Sequence, residues 1–329
     1  MELVRQTGNP GDPNRFITGA TSRQLPLSEG MMTQLARTFR STARAASLAV
    51  AAIGTTAGLI GGFMAPAASA AEPADPTYDN YVALGDSYAS GAGLSLVDDA
   101  NCDRTSEGYP SVIAGAVKAK SFKNVTCSGA TTAEMAKAQG TNPAQLSALS
   151  ADTDLVTLSI GGNDIGFTEI ITNCVVGSFS DPTGSPCKTH FNESGSDAIT
   201  TRINSTAAKL TVSLQYIRAL APNARVLVVG YPSLVPDDGK ACRPDVPFAD
   251  GDVPYLRDVN KKLNQALADR AKSAGAEYAD TYTMTIGHDM CQSEADRWIE
   301  PIETEFAPAH PNSWGQRAMA YGVYNQLRN

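Results

Sequence analysis

The stretch YVALGDSYASGAG, residues 81–93, decides how the chain is read. Residues 81–84 are largely apolar and suit a strand buried in a sheet. Gly85-Asp86-Ser87 then breaks the run, and Ser90, Gly91 and Gly93 keep the following turn loose. A core strand thus delivers a serine, with an aspartate beside it, into a Gly-rich turn. Asp and Ser both favour helix caps, which is the plain explanation. The other is chemical, because open parallel α/β sheets bind ligands at the carboxyl ends of their strands.

Outward from this stretch, short apolar runs alternate with amphipathic ones. Strands are predicted at 81–85, 123–127, 155–160, 225–230 and 276–280, rich in Val, Leu or Ile as strands covered on both faces are. Helices are predicted at about 106–119, 199–220, 254–274 and 313–327; in the second, Ile203, Ala207, Leu210, Leu214 and Ile217 share a face. Strands alternating with helices imply right-handed crossovers and a central parallel sheet between helix layers, a three-layer α/β/α sandwich. Segments 172–197 and 232–252 are rich in turn formers and are expected to be long loops at the rim of a cleft.

The first 70 residues read differently. Arg37, Arg40 and Arg44 precede an uncharged run from Ala45 to Phe63, and Ala68-Ser69-Ala70 follows as a small-residue cleavage motif. That order is a secretory signal peptide, without the Arg-Arg pair of the twin-arginine route. The basic region lies far from Met1, so Met31 or Met32 is the expected start and residues 1–30 an N-terminal extension. Residues 71–329 form the expected catalytic domain, with no integral membrane segment left after cleavage. That part keeps 20 of the 26 basic and 31 of the 34 acidic residues, a net of −11. Such a surface repels phosphate backbones, so nucleic acid is excluded as a partner. A monomer is expected.

All six cysteines lie beyond residue 70: Cys102, Cys127, Cys174, Cys187, Cys242 and Cys291. An even count behind an export signal points to disulfides, and six cysteines allow 15 pairings, of which local ones are simplest. No C-x-x-C pair is present and histidines number three, so no metal site or cofactor is expected.

Three predicted strands end in unusual polar turns: Gly85-Asp86-Ser87, Cys127-Ser128-Gly129 and Gly161-Gly162-Asn163-Asp164. His310-Pro311-Asn312 directly precedes the last predicted helix. A serine hydroxyl needs a base to take its proton, and imidazole, titrating near neutrality, is suited to it. The tetrahedral intermediate then needs donors aimed at its oxyanion, and the Ser87 N–H, the Gly129 N–H and the Asn163 amide offer three. Glycine at 129 lets backbone approach substrate without a Cβ. His190 sits in a polar segment, and His288 is a rival base with no motif around it. Trp298 and Trp314 read as packing residues, with Trp314 near enough to His310 in sequence to line a pocket. The glycines around Ser87 lack the spacing of a phosphate loop, and no G-x-S-x-G elbow surrounds it.

GDSYASG, TCSGAT, GGND and AHPN occur in the order of the motif blocks of the SGNH, or GDSL, hydrolases. The chain resembles that superfamily across 71–329, and within it the secreted actinobacterial esterases and lipases. The resemblance implies a flavodoxin-like α/β/α fold and hydrolysis of acyl esters, with lipids as the first choice of substrate and carbohydrate acetyl esters or phospholipids as alternatives. It implies Ser87 as nucleophile, His310 as general base and acid, and Ser87, Gly129 and Asn163 as the oxyanion hole. It also implies sequential disulfides, Cys102–Cys127, Cys174–Cys187 and Cys242–Cys291. A non-catalytic domain that holds glycan or lipid is the rival class. One position departs from the pattern. Where the superfamily has an aspartate three residues before the histidine, this chain has Ala307. The Ala307 backbone carbonyl is the expected partner of His310, with Asp296, Glu303 and Glu305 as rivals. A carbonyl there is expected to slow the reaction or raise its pH optimum.

Overall fold

The structure, a computed structural model, describes residues 75–329. The extension and signal sequence expected over 1–70 lie outside the described residues. Strand β1 (Asn80–Gly85) buries five of its six residues. It lies between β4 (Ser121–Asn124) and β5 (Leu155–Ser159) and runs parallel to both. Strands β6 (Arg225–Val229) and β7 (Glu277–Ala279) extend the sheet past β5, giving the order β4-β1-β5-β6-β7. A separate antiparallel pair joins β2 (Val97–Asp99) to β3 (Arg104–Thr105).

Seven α-helices accompany these strands among the described residues: α1 (Ser87–Ser90), α2 (Tyr109–Ala116), α3 (Phe167–Ser180), α4 (Pro186–Phe191), α5 (Ala198–Leu220), α6 (Asp252–Ser273) and α7 (Ser313–Arg328). The chain moves one way along the sheet from β1 through α2 to β4. It moves the other way from β5 through α5 to β6 and through α6 to β7. Right-handed crossovers then put the helices on opposite faces. Accordingly α2 packs on α7, and α5 on α6. The strand order reverses direction between β1 and β5, the switch point at which doubly wound sheets open a crevice.

Two expectations are corrected. The segment 172–197 is not a loop: α3 and α4 occupy much of it. Ile170, Cys174 and Ser178, spaced by four, are the buried stripe of α3. The turn formers cluster beyond α3, at 181–185 and 192–197, while the exposed side of the helix carries Val176 and Phe179, and a reading begun at 172 cuts the helix in the middle. The strand expected at 123–127 ends at Asn124. Beyond it the Val125 and Cys127 N–H groups still bond to Ala83 and Gly85 of β1, while the Asn124 side chain accepts from the Thr126 N–H at 3.2 Å. The segment 232–252 is irregular almost throughout.

The disulfides pair Cys102 with Cys127, Cys174 with Cys187, and Cys242 with Cys291. The second clasps α4 against α3. The third ties the 232–252 loop to the segment before the histidine. No helix among the described residues is long and apolar enough to cross a membrane. Bridges of this kind contribute about 2–4 kcal/mol each. Full reduction is therefore expected to lower the melting temperature by more than about 5 °C in a domain of this size; calorimetry with and without reductant reads it, and unchanged melting would contradict it.

Candidate active site

The site begins where β1 leaves the sheet. Gly85 has φ +148, and a Cβ there would lie 2.6 Å from the Ser159 carbonyl oxygen of β5. Only glycine lets the two strands run so close and still turn. Asp86 follows as the cap of α1, one carboxylate oxygen accepting from the Tyr88 N–H at 3.1 Å. Ser87 is the first residue of α1, and its N–H, an orphan donor of the first turn, has no acceptor within the described protein.

The other Asp86 oxygen accepts from the Tyr231 hydroxyl at 2.5 Å, and that hydroxyl accepts from the Gly162 N–H at 2.8 Å. One phenol thus joins the strand ends of β1, β5 and β6. Burial pushes the Asp86 carboxyl up to about 7, against the lowering effect of the Tyr231 hydroxyl and the Tyr88 N–H. Burial also holds the Tyr231 phenol well above its usual range, so it keeps its proton and donates. Tyr231 went unnoticed in the sequence, although it stands just past the end of a predicted strand, where polar groups at such a sheet's ligand edge are found.

His310 arrives from the far end of the chain. Its Nε2 lies 2.8 Å from Ser87 Oγ. Its Nδ1 lies 2.8 Å from the Pro308 carbonyl oxygen. A carbonyl only accepts, so Nδ1 carries the proton and Nε2 presents a lone pair to the serine. The expected Ala307 carbonyl is corrected here: it accepts the His310 backbone N–H at 3.2 Å instead. Ala309 adopts φ +59, and this left-handed residue turns the ring towards the carbonyl two residues back rather than three. Glu303 and Glu305 are exposed. The Asp296 carboxylate accepts from the Ser293 hydroxyl at 2.7 Å, and its backbone carbonyl oxygen lies 2.6 Å from His288 Nδ1. Tyr88 braces the loop from below, its hydroxyl donating to the Ala309 carbonyl at 2.6 Å and its ring 4.8 Å from the imidazole. Burial lowers the His310 pKa, opposed by the Pro308 carbonyl and the Asp103 charge. That direction is opposite to the rise in pH optimum expected from the missing aspartate.

Gly129 and Asn163 face each other across the switch point. Gly129 has φ +78, and its N–H has no acceptor within the described protein. The Asn163 amide donates one hydrogen to the Ala130 carbonyl at 2.8 Å, which docks the Gly129 loop on the Asn163 turn and leaves the second hydrogen unused. Asp164 adds to the docking by accepting from the Thr132 N–H at 2.8 Å and its hydroxyl at 2.5 Å.

A cleft of about 630 Å³, open solvent at its mouth included, leads away from Ser87. Its lining is mostly apolar, with Ile170, Leu234, Phe248, Leu256, Leu263 and Met290 along its walls and Asn260 of α6 as a buried polar member among them. Helix α3, the 232–252 loop and α6 all contribute to its walls. Trp314 is half-exposed and faces Arg317, outside the cleft. Trp298 stacks on His288 at 3.5 Å, which gives both a packing role. His190 sits at the surface beside Glu193. Among the described residues no cluster of three His, Cys, Asp or Glu side chains has the geometry to hold a metal ion.

Known proteins share both the sequence and the fold. The GDSL-like Lipase/Acylhydrolase family matches residues 83–318. Lipase 2 of Streptomyces coelicolor is 44% identical over 286 residues, 84% of this chain and 94% of that protein. Among solved structures, phospholipase A1 from Streptomyces albidoflavus NA297 superposes with TM-score 0.65 at 30% identity, covering 76% of this chain and all of that one. The extracellular lipase from Streptomyces rimosus gives TM-score 0.60 at 28% identity over 75% of this chain and 99% of that one. With the family matching most of the described residues and a relative 44% identical over 84% of this chain, the chain belongs to the GDSL-like lipase/acylhydrolase family.

Proposed function

We propose that the chain hydrolyses carboxylic acyl esters through an acyl-enzyme at Ser87. The single observation that carries this is the 2.8 Å contact between Ser87 Oγ and His310 Nε2 at the mouth of an apolar cleft. His310 Nε2 takes the hydroxyl proton as Oγ bonds to the ester carbonyl carbon. The oxyanion is held by the Ser87 and Gly129 N–H groups and the free hydrogen of the Asn163 amide, donors that no protein acceptor occupies. The bond from carbon to the alcohol oxygen breaks, and Nε2 returns its proton to that oxygen. Water then gives a proton to Nε2 and attacks the acyl carbon, and the acid leaves as Ser87 recovers its hydrogen.

The Pro308 carbonyl fixes the tautomer and the plane of the ring, so the pair works as a dyad. A hydrogen bond to a charged group is worth about 1.5–3 kcal/mol and one between neutral groups about 1, so the imidazolium gains less here than beside an aspartate. Burial adds to that effect and keeps the base neutral to lower pH.

The substrate class follows from the cleft. Apolar walls take a hydrocarbon acyl chain, with burial worth about 0.8 kcal/mol per methylene. The named relatives are lipases and a phospholipase, which agrees with lipid acyl esters. The three disulfides and the likeness to an extracellular lipase support action outside the cytoplasm. The protein is taken to act as a monomer after removal of residues 1–70.

Three measurements test these assignments. Ser87→Ala is expected to lower kcat for a nitrophenyl ester by at least about 10³-fold and to abolish covalent labelling by a fluorophosphonate at Ser87, read by peptide mass spectrometry. Retained turnover would remove the nucleophile, and absence of labelling in the wild type would favour a binding module. The base must be neutral to act, so kcat/KM is expected to rise with pH along a limb whose midpoint lies below 6.5, the ordinary histidine value. A limb above that value would contradict the burial of the ring. In a series of nitrophenyl esters, kcat/KM is expected to climb by at least about tenfold from acetyl to octanoyl, six methylenes longer. A sharp preference for acetate would sink the lipid assignment.

A further inference from the structure

We propose that Gln139 is a positioning residue for the oxyanion hole, acting through the Ser128–Gly129 peptide; this rests on the ester-hydrolase reading above. The side-chain Nε2 of Gln139 donates to the Ser128 carbonyl oxygen at 2.7 Å. That oxygen and the Gly129 N–H belong to one planar peptide unit and point in opposite directions. Whatever fixes the carbonyl fixes the N–H. Gln139 is the only hydrogen-bond partner of that unit among the described residues, since the Gly129 N–H has none. Sterics do not hold the plane: a Cβ at Gly129 would have the Gln139 amide nitrogen, 3.7 Å away, as its one neighbour within 4 Å. The Ala130 N–H bonds to the Cys127 carbonyl at 3.1 Å and closes a turn with Ser128 and Gly129 at its centre. Glycine lets the central peptide of such a turn flip while that bond is kept, so the Gln139 bond is what selects the orientation.

Gln139 is itself held. Its backbone exchanges hydrogen bonds with Asn142 at 2.9 and 3.0 Å. Its Oε1 is enclosed and has no partner. An amide that leaves its oxygen unpaired and spends its nitrogen on this one carbonyl is poorly explained as a stabilising residue. It is well explained as a device that aims a donor and, by polarising the peptide, strengthens it.

Gln139→Met, which keeps the volume and loses the donor, and Gln139→Glu, which sets a carboxylate against the Ser128 carbonyl, test the proposal. Each is compared with wild type by kcat and KM on a nitrophenyl ester and by the inhibition constant of an alkyl boronic acid, which forms a tetrahedral anion on the serine. The expected result is a fall in kcat of roughly ten- to a hundredfold with KM within twofold, and a parallel loss of boronate affinity. Melting temperature and intact disulfides verify the fold, and either variant suffices if the other does not express. Unchanged kcat, or a fall in kcat with unchanged boronate affinity, would overturn the role of Gln139. Those results leave the ester-hydrolase reading intact, because that reading is tested separately, by Ser87→Ala and by covalent labelling of Ser87 in the wild type.

Discussion

The hydroxyl of Tyr231 is the tie on which the geometry at the sheet's edge depends. It gives a hydrogen to Asp86 and takes one from the Gly162 N–H. Asp86 caps the turn that presents Ser87, and Gly162 precedes Asn163. Strand ends that are far apart in sequence are therefore set against each other by a single side chain. The Asp86 carboxyl is almost wholly enclosed, and a buried polar group deprived of its partner costs about 1–3 kcal/mol. The polar centre of the site is stable only when all of its members are in place.

The layered architecture was legible in the sequence because it follows from composition: short Val- and Leu-rich runs need cover on both faces, and amphipathic helices provide it. The strand ends at Ser87 and Asn163 were legible for the same reason, since each interrupts an apolar run with glycine and polar residues. What escaped were features set by a turn of the backbone or by a contact between distant segments. Ala309 in a left-handed conformation moves the histidine's partner from Ala307 to Pro308. Tyr231 carries only its place past a strand end, and Gln139 carries no local signal that separates it from ordinary residues near a loop. The stretch around Cys174 was misread because the turn formers that follow α3, at 181–197, outweighed a buried stripe of three residues.

That misread helix matters to the chemistry. Ile170 and Ile171 of α3 line one side of the cleft, and Leu256, Val259 and Leu263 of α6 line another. The Cys174–Cys187 bridge holds α3 to α4, and the Cys187 and Lys188 N–H groups of α4 bond to the Asp252 carboxylate at the start of α6. The walls of the apolar cleft are thus joined to one another behind the surface that a substrate would touch. A cleft built in this way is largely pre-formed, and the ordering of loops adds little to the cost of filling it.

The carbonyl of Pro308 has one more consequence. A carboxylate in that place is a titrating group in its own right, and a medium acid enough to neutralise it removes the acceptor together with the charge. An amide oxygen gains no proton over any range in which the fold survives, and its dipole is not screened away by salt as a full charge is. The direction in which the imidazole faces is therefore indifferent to acidity and ionic strength, and only the ring's own proton answers to the surroundings.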